Sequence, residues 1–287
     1  MKRFHAFVFI LAIFSGILAM EKGHAAGAVA ASASGWHLVW QDNFSKPGRP
    51  DAAKWGFEHG FVRNHELQYY RSANAVVRNG MLIIEARQQR IANKAYRAGA
   101  KGWQHDQKWT RYTSASLTTE GKESWKYGRF EVRAKLPAGR GMWPAFWMLG
   151  ANIPKVGWPR SGEIDIMEWL GRQARIIHGT VHWATKTTGH QSVSRILKLG
   201  SSAASGFHTY RMDWSSRHIK MYVDGKKYFT FNVDAAGKGP DNPFRKPMFL
   251  IMNLAMGGWG GPLDSHALPA KYEIKYVRVY QRGGRQH

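Results

Sequence analysis

No cysteine occurs among the 287 residues. Disulfide scaffolds, thiol nucleophiles and zinc or iron–sulfur sites built on thiolates are therefore excluded. Acids are scarce too: 19 Asp+Glu stand against 42 Lys+Arg, a formal net charge of +23 that raises the question of a polyanionic partner. Helical periodicity is nearly absent, a short turn around Asp51–Trp55 being the best candidate. Apolar runs suited to a bilayer do not recur after residue 20. Abundant instead are 13 Trp and 31 Gly, and a 44% hydrophobic content that excludes a disordered chain.

The first residues read as an address. Met1, Lys2 and Arg3 precede a nearly unbroken apolar stretch from Phe4 to Met20, and small residues follow from Ala25 to Ala33. Basic start, apolar middle and small-residue site are the layout of a secretory signal peptide. A single membrane anchor is the alternative, but about 17 uncharged residues lie at the low edge for spanning. The expectation is a leader over 1–25, cleaved anywhere up to about 33. It implies a secreted or periplasmic protein without stable membrane insertion, whose mature charge stays near +21. One domain is expected over 35–283.

The remaining chain reads as strands. Phe130, Val132, Ala134 and Leu136 alternate with Arg129, Glu131, Arg133 and Lys135, the period of a half-buried strand. The pattern recurs near Tyr272–Tyr280 and in Ile219–Val223, where Asp224-Gly225 signals a hairpin. Met248–Met256 is apolar enough for a buried central strand. Short strands with Gly and Pro turns, and no internal repeat, predict an all-β sandwich.

Three of the scarce acids crowd into Glu163-Ile164-Asp165-Ile166-Met167-Glu168. In a strand Glu163 and Asp165 share a face, while Glu168, five positions on, falls on the other unless a β-bulge near Ile166–Met167 inserts one residue. The spacing predicts that bulge. Acids so crowded repel and raise at least one pKa, an arrangement that suits glycoside hydrolysis, with one ionised and one protonated carboxyl. Neighbouring acids on one strand favour the short separation of a retaining enzyme. A solvated acidic strand or a calcium site is the other reading of the spacing.

Gly162-Glu163-Ile164-Asp165-Ile166-Met167-Glu168 resembles the bulged signature of glycoside hydrolase family 16, as carried by laminarinase-like endo-β-1,3-glucanases. Trp125–Glu131, Gly141–Gly150, Asn64–Tyr70, Phe207–Tyr210, Tyr222–Gly225 and Tyr276–Tyr280 look like further landmarks of that family, so the likeness runs from about Trp36 to Gln281. The resemblance implies a concanavalin A-like β-jelly roll with an open concave glycan cleft. It implies that Glu163 is the nucleophile, Glu168 the acid/base, and Asp165 a proton holder between them. It implies no cofactor.

Trp143, Ala145 and Trp147 share one strand face, where indoles can serve as sugar platforms or as core. Position in the family favours platforms, and places Asn64, Trp158 and His182 near the cleft. Trp259, after Gly257-Gly258, is a further candidate for sugar contact. His178 and His182 stand four apart, but Gly179-Thr180-Val181 between them reads as strand rather than as a helical metal pair, so no metal site is expected. Laminarinase-like members often hold a structural calcium through acids of the first and last strands; here Asn43 and Lys275 occupy those places, and calcium is expected to be absent. Ser116 stands where some relatives carry arginine. The expected partner is a β-glucan, β-1,3-linked or mixed β-1,3-1,4, hydrolysed by a monomer that binds no nucleic acid. Cleavage of a sulfated galactan, transglycosylation, and non-catalytic glucan binding are the competing functions.

Overall fold

Alternation dictates the architecture. The computed structural model describes residues 35–185 and 187–283; the expected leader lies outside them. Strand Gly128–Lys135 buries every second residue, with Phe130, Val132 and Ala134 inward, as the sequence predicts. Asp224 and Gly225 both adopt positive φ, at 47° and 81°, and join His218–Val223 to Lys226–Asn232 as a two-residue hairpin. At Asp51–Trp55 the chain makes one turn, closed by the Trp55 amide bonding to the Asp51 carbonyl at 2.9 Å.

The strands form two sheets. The ten-stranded sheet runs Lys226–Asn232, His218–Val223, His208–Trp214, Gly128–Lys135, Ala270–Arg282, Met81–Ala92, Trp109–Ser114 and Gln68–Tyr70, with Trp36–Asp42 and Ala75–Arg78 as side branches. The seven-stranded sheet runs Gln191–Lys198, Ile176–Trp183, Glu163–Trp169, Met142–Gly150, Met248–Met256, Ser116–Thr118 and Gly56–Phe57. Helix is confined to Ile153–Val156 and short 3-10 turns among the described residues. The fold is an all-β jelly-roll sandwich.

One large cluster fills the space between the sheets, with Trp55, Trp169, Trp214, Phe130 and Tyr272 among its largest wholly buried side chains. Each apolar side chain so buried contributes roughly 1.5–3 kcal/mol relative to exposure. The central strand Met248–Met256 explains its own unbroken apolarity. Its inward residues Met248, Leu250, Met252 and Leu254 join this core, while outward Phe249 and Ile251 join a second cluster with Ala145, Trp147 and Leu149 under the opposite face. A strand buried on both faces needs no polar alternation. Its one polar residue, Asn253, is buried and points to that opposite face.

Candidate active site

The outer face of the seven-stranded sheet holds the acids. Glu163 pairs with Leu149 and Asp165 with Trp147, after which the register jumps so that Met167 pairs with Phe146 and Glu168 with Ala145. Ile166 is the extra residue of a β-bulge, as the spacing of the acids predicts. Leu149, Trp147 and Ala145 share one face by alternation, so Glu163, Asp165 and Glu168 share it too. On the other side the three acids pair with His182, Thr180 and His178. The bulge carbonyl at Ile166 is not left bare: the Tyr228 hydroxyl donates to it at 3.0 Å from the other sheet. Gly179 makes this possible, since a Cβ there would stand 2.6 Å from the Tyr228 hydroxyl.

Each acid has a different setting. Burial pushes the Glu163 carboxyl up, opposed by the neighbouring His182 and by hydrogen bonds from Trp158 and Asp165. Trp158 Nε1 donates to Glu163 Oε2 at 2.8 Å. Asp165 is wholly buried and raised well above the usual carboxylate range, first by burial and then by the charge of Glu163, to which it is hydrogen-bonded. Glu168 is raised well above its ordinary value by burial, then by Asp165 and Glu163, while the Trp143 Nε1–H bond to its Oε1 at 3.0 Å works the other way. Repulsion between acids, the cause expected from the sequence, is thus second to desolvation.

A cleft of about 350 Å³ opens over these groups, lined by Asn64, Trp143, Trp147, Trp158 and the three acids. Seven of the nine residues singled out from the sequence line this cleft, and the other two border it, His182 beside Asp165 and Trp259 against Trp143. Trp158 is half exposed at the rim, its ring 4.8 Å from that of His190. Trp259 meets Trp143 edge-on at 5.6 Å and His178 at 5.0 Å. Trp147 is only 6% exposed, donates to Asn253 at 2.7 Å, and carries the Arg63 guanidinium 5.0 Å above its ring. It is therefore more a part of the cleft floor than an open platform. The glycines before Trp259 hold no spare room for a sugar: a Cβ at Gly257 would lie 2.6 Å from Leu67. Asn64 adopts φ 59° and donates to Glu66.

His182 places Nε2 at 3.3 Å from Asp165 and 4.0 Å from Glu163, and its Nδ1 lies 3.0 Å from His190 Nε2. Burial lowers its pKa, favouring neutral imidazole. Ligand atoms of Glu163, Asp165 and His182 fall within 4.8 Å of one another. Such a trio could hold a cation, and it equally lets one proton be shared among three groups. His178, by contrast, bonds Gln173 at 2.8 Å and is not part of this trio.

Sequence reasoning missed Arg63, Glu66, Asn253 and His190. Asn253 carried a signal, as the one polar residue in Met248–Met256; its amide joins Trp147 to the Tyr70 hydroxyl at 2.9 Å. Glu66, Gln68 and Tyr70 also carried one, at strand spacing: Gln68 donates to Glu66 at 2.6 Å and Tyr70 does so at 3.2 Å. Arg63 gave none. It ion-pairs with Glu58, which accepts from the Ser116 hydroxyl at 2.5 Å, so a guanidinium reaches the cleft from position 63 while position 116 holds its partner.

Away from the cleft, Asn43 donates to Gln41 at 3.2 Å, and Lys275 Nζ lies 4.5 Å from the Phe207 ring. No helix among the described residues is long and apolar enough to cross a membrane.

Known proteins resemble this chain in sequence and fold. A β-glucanase from Rhodothermus marinus is 42% identical over 265 residues, covering 86% of this chain and 85% of that protein. The laminarinase catalytic domain from Thermotoga maritima superposes with a TM-score of 0.75 at 40% identity, covering 87% of this chain and 99% of that one. A structure from work on endo-acting O-glycanases that initiate mucin breakdown, expressed by the human gut microbiota, superposes with a TM-score of 0.81 at 38% identity, covering 87% and 92%. The model of glycosyl hydrolases family 16 matches residues 67–278, a span that includes the three acids, and the chain belongs to that family.

Proposed function

We propose that this protein is an endo-acting β-glucanase that hydrolyses internal β-1,3-glucosidic bonds, and mixed β-1,3-1,4-glucan, with retention of configuration. The observation that carries the mechanism is the graded environment of three acids on one strand face. Glu163, the least raised and held by the Trp158 N–H, attacks the anomeric carbon as a carboxylate. Glu168, kept protonated by burial, gives its proton to the leaving oxygen as the glycosidic bond breaks. Ionised Glu168 then takes a proton from water, whose oxygen attacks the same carbon and releases Glu163. Asp165 keeps its proton and bonds Glu163, stabilising the carboxylate before attack and after release. Trp143, Trp158 and Trp259 offer indole surface at the cleft rim for pyranose faces.

Reducing-sugar release from laminarin, lichenan and carrageenan tests the substrate class. Laminarin and lichenan are expected to be cut and carrageenan left whole. Glu163→Gln abolishes release with the fold intact, and retained activity overturns the assignment of roles. Proton NMR of the first product shows the β anomer. A second reading, action on another glycan from the same cleft, is favoured by the TM-score of 0.81 to the structure from the O-glycanase work; release from mucin glycans but not from laminarin establishes it.

A further inference from the structure

The charge of this protein is not evenly spread. The outward positions of strand Gly128–Lys135 are Arg129, Glu131, Arg133 and Lys135, three cations to one acid. At one end of this outer face lies a groove of about 730 Å³, within the size range of ligand sites. Trp36, Tyr127 and Tyr222 form its aromatic walls, and Lys126, Lys220 and Arg282 its cations. Asp213 is the one carboxylate in the lining, and it is engaged: Arg129 bonds both its oxygens, at 2.7 and 3.0 Å, with Arg211 3.6 Å away. Among the described residues no carboxylate lies within ion-pair distance of Lys126, Lys220 or Arg282. Three cations thus border the groove without an ion pair among the described residues, Lys220 standing opposite Asp213 in the strand register.

The aromatic rings narrow the choice of ligand. Trp36 carries two guanidiniums, Arg129 at 4.8 Å and Arg282 at 5.0 Å, and Tyr222 carries Arg211 at 4.1 Å. Rings so covered offer no bare platform for a nucleobase, which single-strand binding requires. The same covering removes the apolar surface that would insert into a membrane. Arg129 already spends its in-plane N–H donors on Asp213 and Arg211 lies beside the same carboxylate; stacking leaves those of Arg282 for ligand carboxylate oxygens, which a guanidinium matches in fork geometry. Ser215, Ser216 and Gln281 add hydroxyl and amide groups suited to sugar hydroxyls.

We propose that this groove on the outer face of the ten-stranded sheet binds a uronate-bearing acidic polysaccharide. Such binding tethers the enzyme to a charged matrix while the cleft, on the outer face of the other sheet, stays open to its substrate. Tethering raises the local concentration of a neutral glucan embedded in that matrix without any new contact at the cleft.

Native affinity electrophoresis of the full chain in polygalacturonate is the test. Lys126→Ser, Lys220→Ser and Arg282→Ser are combined in one variant, and Lys94→Ser, Lys101→Ser and Lys108→Ser, exposed lysines elsewhere, in a control of equal charge. Thermal unfolding unchanged from wild type shows that both fold. Wild type and control are expected to bind alike, and the groove variant to bind at least about tenfold more weakly. All three are expected to hydrolyse laminarin equally, and that rate also separates failure here from failure of the glucanase reading. Equal loss in variant and control overturns the proposal in favour of bulk charge. So does wild-type binding by the groove variant. Tighter wild-type binding to single-stranded DNA or to phosphatidylserine vesicles than to polygalacturonate overturns it as well.

Discussion

Tyr228 and Gly179 together hold the bulge that brings Glu168 onto the face of Glu163, and their coupling can be measured. Tyr228→Phe removes the hydroxyl that donates to the Ile166 carbonyl at 3.0 Å, leaving a buried acceptor unbonded. The cost is about 1–3 kcal/mol. In a domain of this size that lowers Tm by roughly 2–4 °C per kcal/mol. Gly179→Ala places a Cβ 2.6 Å from the same hydroxyl, 2.7 Å from Met221 Sδ and 3.0 Å from a Tyr228 ring carbon. Overpacking of that kind costs about 1–3 kcal/mol.

In the Tyr228→Phe background the oxygen that the added methyl would strike is gone. The double variant should therefore lose less than the sum of the singles, by about 1 kcal/mol, within the range seen for contacting residues. Guanidinium chloride unfolding of the four proteins, followed by tryptophan fluorescence, gives the cycle. Activity reads the same geometry, because a slip of about 1 Å between reacting groups costs up to about a hundredfold. Tyr228→Phe should lower kcat on laminarin more than it raises KM. Additivity within about 0.5 kcal/mol, or a Tyr228→Phe protein with wild-type stability and kcat, refutes the reasoning.

With Glu163 as the proposed ionised nucleophile and Glu168 as the proposed protonated acid, kcat/KM should fall as pH drops through the value of Glu163 and again as it rises through that of Glu168; burial places both limbs above the ordinary carboxylate range, Glu168 further, and an alkaline limb inside that range contradicts this. Asp165 is raised on folding, so what it contributes to stability is present below its unfolded value and lost as pH rises through its folded value. Asp165→Asn should accordingly gain Tm relative to wild type as pH rises above about 4, and a difference constant with pH rules this out. Protein purified without chelator should contain well under about 0.1 calcium per chain, since Lys275 repels a cation and Asn43 carries no charge; about one equivalent reverses the claim.

The parts legible in the sequence are those that depend on neighbours along the chain. Alternation in Gly128–Lys135 shows which residues enter the core, because strand geometry sets the period by itself. The bulge was legible for the same reason: three acids that must share a face at positions 163, 165 and 168 require one residue out of step. Arg63, His190 and Tyr228 depend instead on cross-chain register. Tyr228 follows two lysines at the exit of a hairpin, and its role exists only because Gly179, on the facing sheet, lacks a side chain. Trp147 shows the limit of a local reading most clearly. Alternation places it on the cleft face beside Trp143, and both do line the cleft, yet Arg63 from another loop covers one indole and leaves the other to bond Glu168.

Charge follows the same division. A net +23 suggests a polyanion partner anywhere on the surface, but register alone decides that the acids meet under tryptophans on one sheet while Lys126, Lys220 and Arg282 border a groove on the other. That separation matters chemically. A cation paired with Glu168 would favour its ionised form and work against its proposed role of giving a proton to the leaving oxygen, so lysines beside it would oppose that role. Arg63, the guanidinium that does enter, is tied to Glu58 and lies over Trp147; its charge draws the Glu163 carboxyl down and is not among the influences on Glu168.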